Sequence, residues 1–327
     1  MILSRFGFDR QPFRPAVDPA AYFPASTHER AIRTLATAFD NRDPIVLIDG
    51  MPGVGKSLVA RQWLDHLSPD VSRVLLPNTK AQTPSDIFQA ILFDLHLPYQ
   101  CLSEQELRLA MTGQLLDAAK GSYPTVLIID EAHHLSSAVF EELRLLGNLE
   151  TRRGPVLFLV LVAHSMVRNA LRHPANEHFV QRIASTITIE PLTIEESTNY
   201  LRHQVQAAGA KEREIFDPEA ITLLAETCGG IPRILNRAAH LAIQLTAEAD
   251  ASLVEVEAVL EALDRLEMRP DSSPAAEQAA GPVLLPHPSR DGPISSSRPG
   301  TEAKIRGKHE VGPAGKSKDK PARKRTA

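Results

Sequence analysis

Eight consecutive residues in this 327-residue chain have the types and spacing to hold a polyphosphate: Gly50-Met51-Pro52-Gly53-Val54-Gly55-Lys56-Ser57. Glycines at Gly50, Gly53 and Gly55 let the backbone curl until its N–H groups point inward at phosphate oxygens. A helix starting directly after them adds the positive end of its dipole. Lys56 brings a mobile charge to the outer phosphates, and the Ser57 hydroxyl suits Mg²⁺. Pro52, Val54 and Leu58 complete the expected contact set. The spacing is not that of a dinucleotide fold. Gly50, Gly53 and Gly55 do not spell G-x-G-x-x-G, and Lys56-Ser57 has no use there.

A second group follows further along, Val126-Leu127-Ile128-Ile129-Asp130-Glu131. Four buried-type residues end in two acids. Carboxylates at the end of a central strand are costly unless a cation is held beside them. Asp130 is expected to hold Mg²⁺, directly or through water. Glu131 is expected to take a proton from an attacking water as general base. Together the two groups predict Mg-ATP as ligand and hydrolysis as reaction. ATP is expected over GTP because the sequence lacks the Asn-Lys-x-Asp guanine reader of GTPases. Asp130-Glu131-Ala132-His133 also spells a helicase signature, but those helicases need a second sheet domain, and helices follow here. His133 and His134 read as solvated loop histidines.

Both groups need strands to end at them and helices to start after them. The apolar pattern predicts strands at Ile45–Ile48, Val71–Leu76, Thr125–Ile129, Pro155–Ala163 and Thr186–Ile189. Helices are expected near His28–Phe39, Gly55–Leu67, Pro84–Leu95, Ser103–Lys120 and Ser136–Leu149. Such alternation implies an α/β fold, a parallel sheet with helices on both faces and its ligand at the carboxyl ends of the strands. From Thr193 the strands stop, and helices are expected at Ile194–Ala208, Pro218–Thr227, Pro232–Ala247 and Ser252–Leu266. The expected organisation is an irregular N-terminal segment (1–44) that contributes to the nucleotide pocket, a P-loop core (45–191), a helical lid domain (192–267) and a disordered basic tail (268–327).

Composition narrows the classes. Apolar residues make up 43% of the chain, enough for a sizeable core. The net charge is -4, yet from Met268 onward 12 Lys/Arg outweigh 6 Asp/Glu. Two cysteines without metal-like spacing suit a reducing setting. No signal-peptide core and no apolar run of membrane length is seen, so a soluble cytoplasmic protein without membrane insertion is expected.

The chain resembles the AAA ATPase module of the general secretion pathway protein A family and, more distantly, the ATPases that regulate transposition. The resemblance covers about residues 5–266. It rests on Phe6-Gly7-Phe8 with Pro12-Phe13, the P-loop, Ile129-Asp130-Glu131-Ala132, Glu141 to Leu146 with Asn148-Leu149-Glu150, and Gly229-Gly230-Ile231-Pro232-Arg233 with Asn236. It implies that Arg233 is a sensor reaching the γ-phosphate. It implies that Arg182 is an arginine finger acting on a neighbouring copy, with Arg172 as competitor. Asn78 would hold Glu131 in an inactive pose until a partner binds. Where the family commonly shows glycine and glutamine, this chain has Ala163-His164, and His164 would orient water instead. The membrane span and peptidoglycan-binding domain of many members are not seen in this sequence.

The first reading is thus an ATP-driven, self-associating switch that remodels or recruits a protein partner. Phe13, Tyr22 and Phe23 are candidates for the adenosine pocket or for plain core. A second reading is a DNA-associated, transposition-regulator-type ATPase, with phosphate contacts from the basic tail. A third is a non-catalytic nucleotide-binding scaffold, against which Asp130 and Glu131 speak.

Overall fold

The computed structural model describes residues 2–14, 21–121, 123–210 and 214–268. All lie within one compact unit, Met1–Gly281. The tail expected to be disordered and to meet DNA lies outside the described residues. Among the described residues no helix is long and apolar enough to cross a membrane.

The chain opens with a short helix α1 (Ile2–Phe6) and a longer α2 (Ser26–Asp40), then runs through β1 (Ile45–Gly50), α3 (Lys56–Asp65) and β2 (Arg73–Leu76). Next come α4 (Pro84–Asp94), α5 (Glu104–Ala118), β3 (Thr125–Ile129), α6 (Ser137–Gly147), β4 (Glu150–Thr151), β5 (Gly154–Pro155) and β6 (Leu157–Val162). Two short helices, α7 (Val167–Leu171) and α8 (Glu177–Val180), lead to β7 (Ile183–Ile189). The remainder is helical: α9 (Ile194–Ala207), α10 (Pro218–Thr227), α11 (Pro232–Glu248) and α12 (Val256–Arg265).

Five strands form one parallel sheet in the order β2-β3-β6-β1-β7. Its central strands alternate between two cores, as the two-residue period of a strand requires. Ile45, Leu47, Leu127, Ile129, Leu159 and Leu161 pack with residues of α4, α5 and α6 on one side. Val46, Ile48, Val126, Ile128, Phe158 and Val160 pack with residues of α2 and α3 on the other. The strand order fixes the site. The P-loop leaves β1, Asp130-Glu131 leaves β3, and β6 lies between them. Ala163-His164, just past β6, is thereby set between the two chemical groups.

Local signals start the helices. Thr83 with Asp86, Ser103 with Glu106 and Thr193 with Glu196 each form a capping box, in which side chain and backbone satisfy one another's free groups.

Four expectations are corrected. The N-terminal segment is not wholly irregular before α2, because α1 is present. Five residues do not hold a helix alone, but Phe6 is fully buried and Phe8 and Phe13 nearly so, in the apolar core of α9–α12. The second strand starts at Arg73, since Val71 closes a turn onto the Ser68 carbonyl. The fourth strand, expected at Pro155–Ala163, is β6 and starts at Leu157, because Pro155 instead belongs to a small hairpin, β4–β5, that precedes it. The fifth strand extends back to Ile183. It lies at the sheet edge with Ala184, Thr186 and Thr188 exposed, so its first half has no apolar run to read.

Candidate nucleotide site

The loop between β1 and α3 is shaped by close approach. Gly53 has φ +83°, and a Cβ there would stand 2.7 Å from Cβ of Arg233. Gly55 has φ +102°, and a Cβ would stand 3.0 Å from the His28 ring. Both positions favour glycine twice over, by dihedral and by space. Gly55 also starts α3 without a side-chain cap. The first N–H groups of α3 therefore have no side chain to accept them and are available to an anion. Gly50 abuts the Ile189 carbonyl of β7, and Val54 is buried with its carbonyl accepting from His28 Nε2 at 2.9 Å.

Lys56 folds its ammonium onto this loop, donating to the carbonyls of Met51 (2.8 Å) and Gly50 (3.1 Å). Burial lowers its pKa, and the Arg233 guanidinium acts the same way, while the Glu131 and Asp130 carboxylates oppose. Among the described residues it has no ion-pair partner. A half-buried cation beside free helix N–H groups is a site short of negative charge.

Across from it, Asp130 ends β3 with its N–H on the Leu76 carbonyl, and its Oδ1 accepts the Glu131 N–H at 2.8 Å. Glu131 has φ +55°, a left-handed conformation that costs a non-glycine residue about 1 kcal/mol or more. That bend turns the chain into a single 3₁₀ turn, Ala132–His134. The Glu131 carboxylate faces His133, with Oε2 3.4 Å from Nδ1. His164 accepts the Met166 N–H on Nδ1 at 3.0 Å, so the neutral ring carries its proton on Nε2. Burial lowers the pKa of His164, and Lys56 adds to the effect.

The third wall is the start of α11. Pro232 occupies its first turn, and the Arg233 N–H donates to the Gly53 carbonyl at 3.2 Å. The Arg233 guanidinium is exposed and has no ion-pair partner among the described residues. Between these walls lies a cavity of about 680 Å³. It is lined by Pro52, Gly53, Gly55, Lys56, Ser57 and Leu58 on one side, by Glu131 and His164 on another, and by Arg233 and Asn236 from α11. Phe13 and Phe23 line it too, while packing on Phe216 and Tyr200. Each is core and wall at once. Tyr22 is not in its lining; it stacks on His28 and donates to Glu29. The residues fit Mg-ATP: two loop positions leave no room for a Cβ, and among the described residues the ammonium lacks a counter-ion and the exposed Ser57 hydroxyl makes no hydrogen bond.

Residues 40–171 match the family model described as an AAA domain. This part of the chain has a P-loop, AAA-like fold. The chain is 31% identical over 234 residues to general secretion pathway protein A of Aeromonas hydrophila, covering 71% of this chain and 42% of that protein. It thus spans under half the length of that relative. It is 27% identical over 239 residues to the ATP-dependent target DNA activator B of Escherichia phage Mu, covering 71% of this chain and 69% of that one. Among solved structures, Cdc6p of Pyrobaculum aerophilum shares the fold at a TM-score of 0.64 and 17% identity, over 77% of this chain and 70% of that one. The ORC2 protein of Aeropyrum pernix in its ADPNP-ADP complexes does so at 0.63 and 14%, over 84% and 75%.

Three of the expected residues, Asn78, Arg182 and Arg172, stand apart from the cavity. Asn78 is exposed in the turn after β2, with φ +55°, and makes no hydrogen bond to Glu131. Arg182 is exposed just before β7, and Arg172 is exposed after α7. Four other residues, His28, Asp49, Arg168 and Thr188, escaped the sequence reading. His28 is buried and ties α2 to the P-loop. Asp49, in β1, is fully buried and accepts from Arg168 (two nitrogens) and from the Thr188 hydroxyl at 2.8 Å. An aspartate inside an otherwise apolar strand was the available signal for that network.

Proposed function

We propose that this chain binds Mg-ATP and hydrolyses it as a self-associating AAA-type ATPase that remodels or recruits a partner. The observation that carries the reading is the meeting of Lys56, Glu131 and Arg233 around one cavity. Loop N–H groups around Gly53–Ser57 cradle the phosphates, and Lys56 neutralises the outer ones. Mg²⁺, held by Ser57 and Asp130, would offset the charge of the phosphate oxygens. Glu131 accepts the proton of the attacking water, which His164 orients through its Nε2 proton. Arg233 reaches the γ-phosphate and reports its presence to the lid. Arg182, exposed on the surface, acts on the nucleotide of a neighbouring copy, and Asn78 restrains Glu131 until a partner binds.

The test is phosphate release by wild type and Glu131→Gln at matched nucleotide occupancy. Loss of a general base lowers turnover about 10²–10⁴-fold while binding persists. Equal turnover by the two proteins removes Glu131 from that role.

A second reading, a DNA-associated ATPase, is favoured by the relative named as an ATP-dependent target DNA activator and by the 12 Lys/Arg of the last sixty residues. It expects salt-dependent binding of duplex DNA that weakens when residues 300–327 are deleted. No binding at low salt rules it out.

A further inference from the structure

We propose that Glu131, His133 and His134 form a binding site for a transition-metal ion of the Zn²⁺ class, which withdraws Glu131 from water activation. The ligand atoms of these three side chains all lie within 4.8 Å of one another. The backbone brings them together. The left-handed turn at Glu131 begins a 3₁₀ turn closed by the His134 N–H on the Glu131 carbonyl at 3.0 Å. At three residues per turn, i and i+3 eclipse, so Glu131 and His134 share one edge. His133 stands beside them, its ring centroid 4.1 Å from that of His134.

A second observation points to a cation. His133 Nδ1 lies 3.4 Å from Glu131 Oε2 and 3.4 Å from the His164 backbone N–H. A neutral ring nitrogen satisfies one of these, not both. With its proton on Nε2, the ring has one Nδ1 lone pair, set between the His164 N–H and the Glu131 carboxylate oxygen with no proton towards the carboxylate, and a cation taking that lone pair would replace the long 3.4 Å contact from His164. Tetrahedral zinc with bonds of about 2.0–2.1 Å holds its ligands about 3.4 Å apart. The pair is therefore at coordination spacing, and exposed His134 closes the rest by rotating its side chain. Two imidazoles and one carboxylate, with a position left for water, suit Zn²⁺. Mg²⁺ prefers an all-oxygen shell. Excess Mg²⁺ consequently does not displace it.

Binding depends on the three side chains alone. Its inhibitory consequence rests on Glu131 being the general base proposed above. Coordination engages the carboxylate oxygens that would accept the proton from water, while the P-loop remains free to hold nucleotide.

The test is calorimetric titration of ZnCl₂ into the full chain in excess MgCl₂ without nucleotide, with ATPase rates measured in parallel. His134→Ala and Glu131→Gln are compared with wild type. His134 is exposed and outside the hydrolytic machinery, so His134→Ala is expected to fold and turn over normally. Wild type should bind one ion per chain, with affinity about tenfold or more lower in both variants. Zn²⁺ should slow ATP hydrolysis by wild type and spare His134→Ala. Equal Zn²⁺ affinity in wild type and His134→Ala, or no binding to wild type, overturns the site. Binding that needs His134 but leaves turnover unchanged overturns the inhibitory role. If wild type never hydrolyses ATP, the enzymatic reading fails and the calorimetric comparison still decides the metal site.

Discussion

The backbone N–H of Arg233 donates to the carbonyl oxygen of Gly53 at 3.2 Å. The first turn of α11 is thus joined by main chain to the loop between β1 and α3. A shift of the loop on binding phosphate would therefore pull on the helix that carries Arg233. In the proposed function, this bond is the route by which the nucleotide state would reach the helical part of the molecule.

Gly53→Val tests the contact. A Cβ there would stand 2.7 Å from Arg233 Cβ at φ +83°, so either loop or lid must yield. Nucleotide affinity should fall at least about tenfold while the fold is retained. Unchanged affinity in a titration of Gly53→Val would show that the two elements separate freely.

Arg168 neutralises Asp49, which is fully buried in β1. Arg168→Met leaves that carboxylate unpaired. The expected loss is about 2–4 kcal/mol, under that of a wholly buried pair because half of Arg168 is exposed to solvent. Denaturant unfolding measures it. Asp49→Asn combined with Arg168→Met should recover part of the loss, and no recovery would place the defect elsewhere.

Burial lowers the pKa of His28 below the ordinary value of 6.5, and burial does the same for His133, His164 and His240. The unfolded chain then binds protons on these histidines that the folded chain does not. Stability is present above about pH 6.5 and is lost as pH falls below it towards the depressed folded values. Melting temperature should drop between about pH 7 and pH 5, and less steeply in His28→Gln. A parallel drop in both proteins would remove His28 from the account.

Arg182 belongs to a different class, since it is exposed and away from its own cavity. If it serves a neighbouring copy, specific ATPase activity rises with protein concentration, and Arg182→Ala lowers the plateau about 10³-fold without changing nucleotide affinity. Activity independent of concentration contradicts that role, and a fall in Arg172→Ala instead would transfer it.

Much of this was legible in the sequence because it rests on local rules. Gly53, Gly55 and Lys56 sit between an apolar strand and a helix, and the acids of Asp130-Glu131 end another strand, so both groups announce themselves. The strand order was not legible, and it is what sets His164 between them. The role of the N-terminal segment was half legible. Phe13 and Phe23 could be named as pocket or core, but only packing against Phe216 and Tyr200 shows that they are both. His28 carried no signal, since a histidine on an amphipathic helix says nothing of a carbonyl 26 residues away in sequence. The short α1 was invisible for the same reason: its stability comes from contacts made by Phe6 and Phe8 with a core at the other end of the chain.

The most direct test is calorimetric titration of Mg-ATP into wild type and Lys56→Ala, both shown to be folded. The account predicts saturable heat at about one nucleotide per chain for wild type and none for Lys56→Ala. A flat titration for folded wild type, or equal binding by the variant, would contradict it.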